Sequence, residues 1–257
     1  PMGLVDFIAW RVLGGMAVGA ASVIAPAYIA EIAPAEMRGR LGTLQQLAIV
    51  VGIFIALLSN YLIAQSAGSA SYRWLLGMEA WRWMFWSELP AALLYGLMAL
   101  SLPESPRYLV ARGREDEAAF VMERVGAAES VASIRETVLS ERRPRLSDLR
   151  GGSFGIVAIV WIGIGLSVLQ QFVGINVIFY YSSVLWRAVG FSEGSALSIT
   201  VITGATNVVT TLVAIATVDR FGRKPLLLVG SIGMLLTLGT MAMIFGAAPM
   251  GPDGNPL

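Results

Sequence analysis

Gln170, Gln171 and Asn176 stand close together in an otherwise apolar stretch, and Asn207 sits midway along another. Gln45, Gln46 and Asn60 lie in a third apolar stretch, while Arg11 and Glu88 are charges inside two more. Polar side chains in such surroundings are costly, which makes each a candidate for function. Most of these are amides, which offer donors and acceptors without a charge. That chemistry suits a neutral polyhydroxylated ligand such as a sugar. Phe172, Phe179, Tyr180 and Tyr181 flank the cluster. Their rings can cover the apolar face of a sugar while a Tyr hydroxyl hydrogen-bonds. Any one of the amides serves equally well to join two helices, a contact worth ~0.6 kcal/mol on average in membranes. The grouping of Gln170, Gln171 and Asn176 is what favours a ligand. Trp74, Trp81, Trp83 and Trp86 read instead as an interfacial belt.

A second set of residues is ionic. Glu31 precedes Arg38 and Arg40, Glu104 precedes Arg107, and Asp219-Arg220-Phe221-Gly222-Arg223-Lys224 closes a third group. Each group falls at the end of an apolar stretch. Opposite charges there can pair across helices, and exposed pairs are weak, as a contact that must open requires. Positive charge at these ends also serves as a plain orientation signal. Glu104 and Ser105 ahead of Pro106 read as a helix start.

What must position these residues follows from composition. Apolar residues make up 56% and charged residues 14% of the 257 positions, against roughly a quarter charged in a soluble domain. The chain has no Cys and no His. That excludes disulfide scaffolds, thiolate zinc sites and Ser-His or Cys-His triads, and no cofactor, metal or nucleic-acid partner is expected. Six stretches reach the ~20 apolar residues of a membrane span: 4–32, 41–65, 81–102, 153–190, 196–218 and 225–248. The fold class is therefore an all-α membrane protein embedded in a lipid bilayer. The fourth stretch is long enough to break, and Gly174 lies near its middle. On an unbroken helix Asn176 would point ~140° away from Gln171. A break at Gly174 would let both face one cavity, a recurrent device in transporters.

The net charge of +1 hides a strong segregation, because residues 103–150 hold 18 of the 35 charged side chains. There the spacing predicts amphipathic helices over 115–125 and 129–141, lying on the membrane surface. Basic residues divide 14 to 3 between alternate connections. Positive charge stays inside, so 103–150 and 219–224 are expected in the cytoplasm, and 66–80 and 187–195 outside.

Four motifs resemble one family. Pro26-Ala27-Tyr28-Ile29-Ala30-Glu31 with Arg38-Gly39-Arg40 is similar to the junction of the fourth and fifth spans in sugar porters of the major facilitator superfamily. Pro103-Glu104-Ser105-Pro106-Arg107 resembles their signature after the sixth span. Gln170-Gln171-Phe172-Val173-Gly174-Ile175-Asn176 followed by Tyr180-Tyr181 resembles their seventh-span sugar motif. Asp219-Arg220-Phe221-Gly222-Arg223-Lys224-Pro225 resembles the loop between the eighth and ninth spans. Bacterial xylose–proton symporters and facilitative glucose transporters look most similar.

The resemblance implies a twelve-span fold, of which this chain would supply spans four to nine, with both ends read as cuts. Residues 1–102 would be three spans of the first bundle, 103–152 a cytoplasmic helical linker, and 153–257 three spans of the second. Sugar contacts carry over to Gln46, Gln170, Gln171, Asn176 and Asn207, with Tyr180 and Tyr181 beside them. An inner salt-bridge network carries over to Glu31, Arg38, Glu104, Arg107, Asp219 and Arg223. Arg11 matches an Arg that neighbours a first-span acid in proton-coupled members, so it is the candidate partner for proton coupling. The implied activity is transport of a monosaccharide, pentose or hexose, by alternating access in a bacterial inner (plasma) membrane, with proton coupling left open. The alternatives are a non-transporting membrane sugar sensor of the same fold and a membrane enzyme acting on lipid-linked sugars. The enzyme would need clustered acids, and Asp6, Glu79 and Glu88 are scattered.

Overall fold

Apolar backbone without water nearby must satisfy its own hydrogen bonds, and helices do so within one segment. The computed structural model, which describes residues 3–33, 38–126, 131–140, 151, 155 and 157–247, is accordingly almost all helix. The chain divides into two units, 1–46 with 96–144 and 47–95 with 145–257. The divisions fall inside two helices, α2 (Arg38–Ala67) and α4 (Leu89–Ser101).

The first unit contains α1 (Leu4–Ile32), the first turns of α2, the end of α4, and three short helices. These are α5 (Pro106–Ala111), α6 (Glu115–Val125) and α7 (Val131–Ser140). Ser105 caps α5, its Oγ accepting from the Tyr108 N–H at 3.3 Å, with Pro106 in the first turn where a missing N–H costs nothing. Acidic Glu115, Asp116 and Glu117 open α6, Arg124 lies in its last turn and Gly126 ends it at φ +66°. Both charge placements complement the helix dipole.

Within the linker, part of the apolar surface of these short helices packs on itself, while Phe120 and Leu139 stay exposed. Leu109, Val110, Ala118, Val121, Met122 and Ile134 form a small core across α5, α6 and α7. Each larger side chain buried this way contributes about 1.5–3 kcal/mol. An Arg135–Glu115 ion pair at 3.5 Å joins α7 to α6 at the surface.

The second unit holds the rest of α2, a 3-10 turn (Leu75–Gly77), α3 (Ala80–Trp86) and the start of α4. It continues with α8 (Ala158–Phe172), α9 (Ile175–Tyr180), α10 (Ser182–Ala188), α11 (Glu193–Phe221) and α12 (Arg223–Ala247). Here α2 and α11 come close at Gly204, where an added Cβ would meet Leu57 Cδ1 at 3.0 Å and Phe54 Cδ2 at 3.4 Å. Ala196 is fully buried, and Thr200 Oγ1 donates to Ser182 Oγ at 3.0 Å between α11 and α10.

Five of the six expected spans are long and apolar enough to cross a bilayer among the described residues: Leu4–Ile32, Leu41–Ala67, Ala80–Ser101, Glu193–Val218 and Lys224–Met243. The third bends at Ser87 and Glu88, so that Pro90 falls in the first turn of α4, where it is tolerated. The fourth is split three ways. Its first piece, α8, is about 22 Å long at 1.5 Å per residue, short of the ~30 Å hydrocarbon core.

Candidate functional site

The split follows from one residue. Gly174 adopts φ +82° and ψ 16°, left-handed backbone that other residues avoid. The Gly174 N–H donates to the Gln171 carbonyl at 3.2 Å, tightening the end of α8, and the Val177 N–H donates to the Gly174 carbonyl at 3.0 Å. Nothing within 4 Å would meet a Cβ at Gly174, so conformation and not space requires glycine. A second interruption at Tyr181 separates α9 from α10.

Gln170 and Gln171 occupy the last turn of α8 and are exposed, and Asn176 opens α9. The expected interruption is therefore where the amides are. The side chain of Asn176 lies outside the described residues, as do those of Arg38, Asp219 and Arg223. Tyr180 and Tyr181 are exposed beyond the break. Asn207 is half-buried and shares a cleft of about 290 Å³ with Phe179, Thr203, Thr206 and Thr210. Those threonines have no individual signal in the sequence, although 203, 206, 207 and 210 share one face by helical spacing. Each Thr hydroxyl in the cleft donates back to its own helix: Thr203 to Ile199, Thr206 to Ile202 and Thr210 to Thr206, all at 2.9 Å. Their oxygens can still accept. Gln46 is exposed on α2 in the first unit.

Also in the first unit, two of the sequence motifs meet. The Tyr28 hydroxyl donates to the Pro103 carbonyl at 2.7 Å, and the Ser105 hydroxyl donates to Glu31 Oε2. Glu31 thus binds the cap residue of α5, a partner the charge pattern did not point to. Glu104 lines a shallow cleft with Leu109, Asp116, Glu117 and Phe120. Arg107 is half-buried one residue beyond the start of α5. Nearby, a hydrogen bond from Arg114 to Glu117 pushes the guanidinium further above its already high range. Arg11 lies with its guanidinium 5.6 Å from the Phe7 ring centre.

In the second unit, the tryptophans of the expected belt are partly tied down. Trp81 donates to Glu79 at 2.9 Å and Trp83 to the Leu75 carbonyl at 3.1 Å, while Trp74 and Trp83 meet edge to face at 6.2 Å. Glu193 was missed altogether. Ser192 ahead of it signals a helix start, but nothing local signals a distant partner for the carboxylate.

Residues 3–255 match the family described as sugar (and other) transporter. A glucose transport protein of Synechocystis sp. is 64% identical over 260 residues, covering 100% of this chain and 55% of its own length. The D-xylose-proton symporter of Escherichia coli is 40% identical, with 93% of this chain and 48% of its own length aligned. The solved structure of that organism's major facilitator superfamily proton:xylose symporter, bound to 6-bromo-6-deoxy-D-glucose, superposes with a TM-score of 0.76 at 39% identity. It covers 93% of this chain and 50% of the solved one. A partially occluded inward-open form of the xylose transporter gives 0.75 at 38% identity, with the same coverage. The chain spans about half the length of the curated relatives it matches. With its apolar helices, its broken span and these relatives, the chain belongs to the sugar (and other) transporter family of the major facilitator superfamily, whose bacterial members are multi-pass inner-membrane proteins.

Proposed function

We propose that this protein carries a monosaccharide across the membrane by alternating access. The observation that carries the reading is the left-handed break at Gly174 within the Gln170–Asn176 amide motif. Irregular backbone at membrane depth is tolerated where it lines a cavity, and uncharged amides there match a ligand made of hydroxyls. Gln170, Gln171, Asn176 and Asn207 are the proposed hydrogen-bonding residues, with Tyr180 and Tyr181 next to them. Gln46 is proposed from the family motif alone. Residues 1–102 and 153–257 then belong to the two moving halves, joined by the helical linker 103–152. Glu31 with Arg38, Glu104 with Arg107, and Asp219 with Arg223 place opposite charges at three inner span ends, as weak contacts that hold the inside closed. Arg11 is the proposed partner of any proton-coupling acid.

The test is a chimera in which this sequence replaces the matching segment of the Synechocystis glucose transport protein. Reconstituted in liposomes, it should exchange labelled D-glucose or D-xylose in counterflow. An imposed proton gradient separates symport, which it drives, from facilitated transport, which it leaves unchanged. Sugar binding without counterflow would favour a sensor, and neither would refute the reading.

A further inference from the structure

The connection after α2 and the start of α11 are joined by a single carboxylate. Glu193 Oε2 accepts from the Ser69 hydroxyl and Oε1 from the Ala70 backbone N–H, both at 2.8 Å. The two partners lie 124 and 123 residues away in the chain. Both ends of the contact are held firmly. Ser69 Oγ also accepts from the Ser71 N–H at 3.3 Å, and the Ala70 carbonyl accepts from the Trp81 N–H at 2.9 Å, which ties the connection to α3. On the other side Ser192 Oγ caps α11 by accepting from the Ser195 N–H at 3.2 Å. The first turn of a helix favours a carboxylate. Hydrogen bonds to an ion are about twice as strong as neutral ones. The contact nonetheless borders a cleft of about 410 Å³ whose lining includes Tyr61, Ala64, Gln65 and Ser198. Water can therefore replace both partners when they part, and among the described residues Tyr61 is the only other titratable side chain lining the cleft.

We propose that Glu193 is a latch on the outer side of the membrane. It fastens the α2–α3 connection to α11 while that side is closed and releases Ser69 and Ala70 when it opens. The inference rests on the alternating-access reading above and on the basic-residue count that places 66–80 and 187–195 outside.

The experiment uses the same chimera. Weakening the latch enlarges the outward-facing population, and apparent affinity scales with the fraction of protein competent to bind. Glu193→Ala should lower the half-saturating sugar concentration for uptake and raise it for efflux. The ratio of the two should shift about tenfold, the scale of a lost hydrogen bond to a charged group. Ser69→Ala keeps the Ala70 bond and should shift the ratio about threefold. A second measurement needs no transport. Ala64 is buried in the cleft lining, and Ala64→Cys should react severalfold faster with an impermeant thiol reagent added outside when combined with Glu193→Ala. An unchanged ratio and unchanged labelling overturn the latch, as does lower thermal stability with neither readout moved. If Glu193→Ala does not fold, Ser69→Ala decides by the same two readouts. Absence of counterflow in the chimera with Glu193 intact would instead strike the transport reading, while the labelling still decides the latch.

Discussion

Gln171 ends α8 at the break, and its carbonyl already anchors the turn by accepting from Gly174. Its side-chain amide is the proposed contact to a sugar hydroxyl. Losing one partner of a buried hydrogen bond costs about 1–3 kcal/mol, roughly tenfold to hundredfold in affinity. Gln171→Ala and Asn176→Ala should each weaken sugar binding by that factor with the melting temperature near that of the parent. Calorimetric titration beside a melting curve on the same sample separates this from helix glue, for which stability falls and affinity holds. Ser105 is a residue of the opposite kind. It caps α5 and also donates to Glu31 on α1, so Ser105→Ala should lower stability by about 1–2 kcal/mol. Ser105→Thr keeps the hydroxyl and should restore most of it. Denaturant or thermal melts of the two variants side by side are the check, and equal stability of the alanine and threonine variants would contradict the assigned role.

At the scale of the element, the glycine break decides how the seventh-span motif is presented. A continuous helix would turn Gln171 and Asn176 to nearly opposite sides, and the left-handed Gly174 removes that constraint. An alanine there must adopt a conformation that costs about 1–2 kcal/mol or must straighten the helix. Gly174→Ala is therefore expected to reduce sugar affinity more than its modest loss of stability would suggest. A hydrogen-exchange experiment should show slower exchange of the Ile175 and Asn176 amides, which open α9, if the helix straightens. Unaltered affinity with unaltered exchange would mean that the break has no part in binding. The linker makes a related point about amphipathic helices. A patterned apolar face does not name its partner, and in α5, α6 and α7 the partner is another short helix.

For the whole molecule the sharpest expectation is topology. Basic residues divide 14 to 3 between the two sets of connections, and the transporter family is multi-pass. The chain has no cysteine, so single introduced thiols report cleanly. In intact cells an impermeant thiol reagent should label Ser71→Cys, in the connection after α2, and spare Ser140→Cys, at the end of α7. The reverse pattern would invert the orientation and with it the outer placement of Glu193.

Much of this architecture is determined locally and could be read from the residues in order. Apolar runs of membrane length must be helical, since no other single segment satisfies its backbone in lipid. Ser105-Pro106 begins a helix through its own side chain, and Gly174 breaks one through its own φ. What depended on the fold is whatever joins residues far apart. Ser69 and Ala70 reach Glu193 across more than a hundred residues, and Tyr28 reaches Pro103 across 75. The close approach of α2 to α11 leaves little room for a Cβ at Gly204, yet many glycines of this chain lie in helices with open space where a Cβ would go. Periodicity states which residues share a face and which ends need a cap. It holds no information on which distant face or cap will be opposite, because that is set by how the helices pack, and only the tertiary structure decides it.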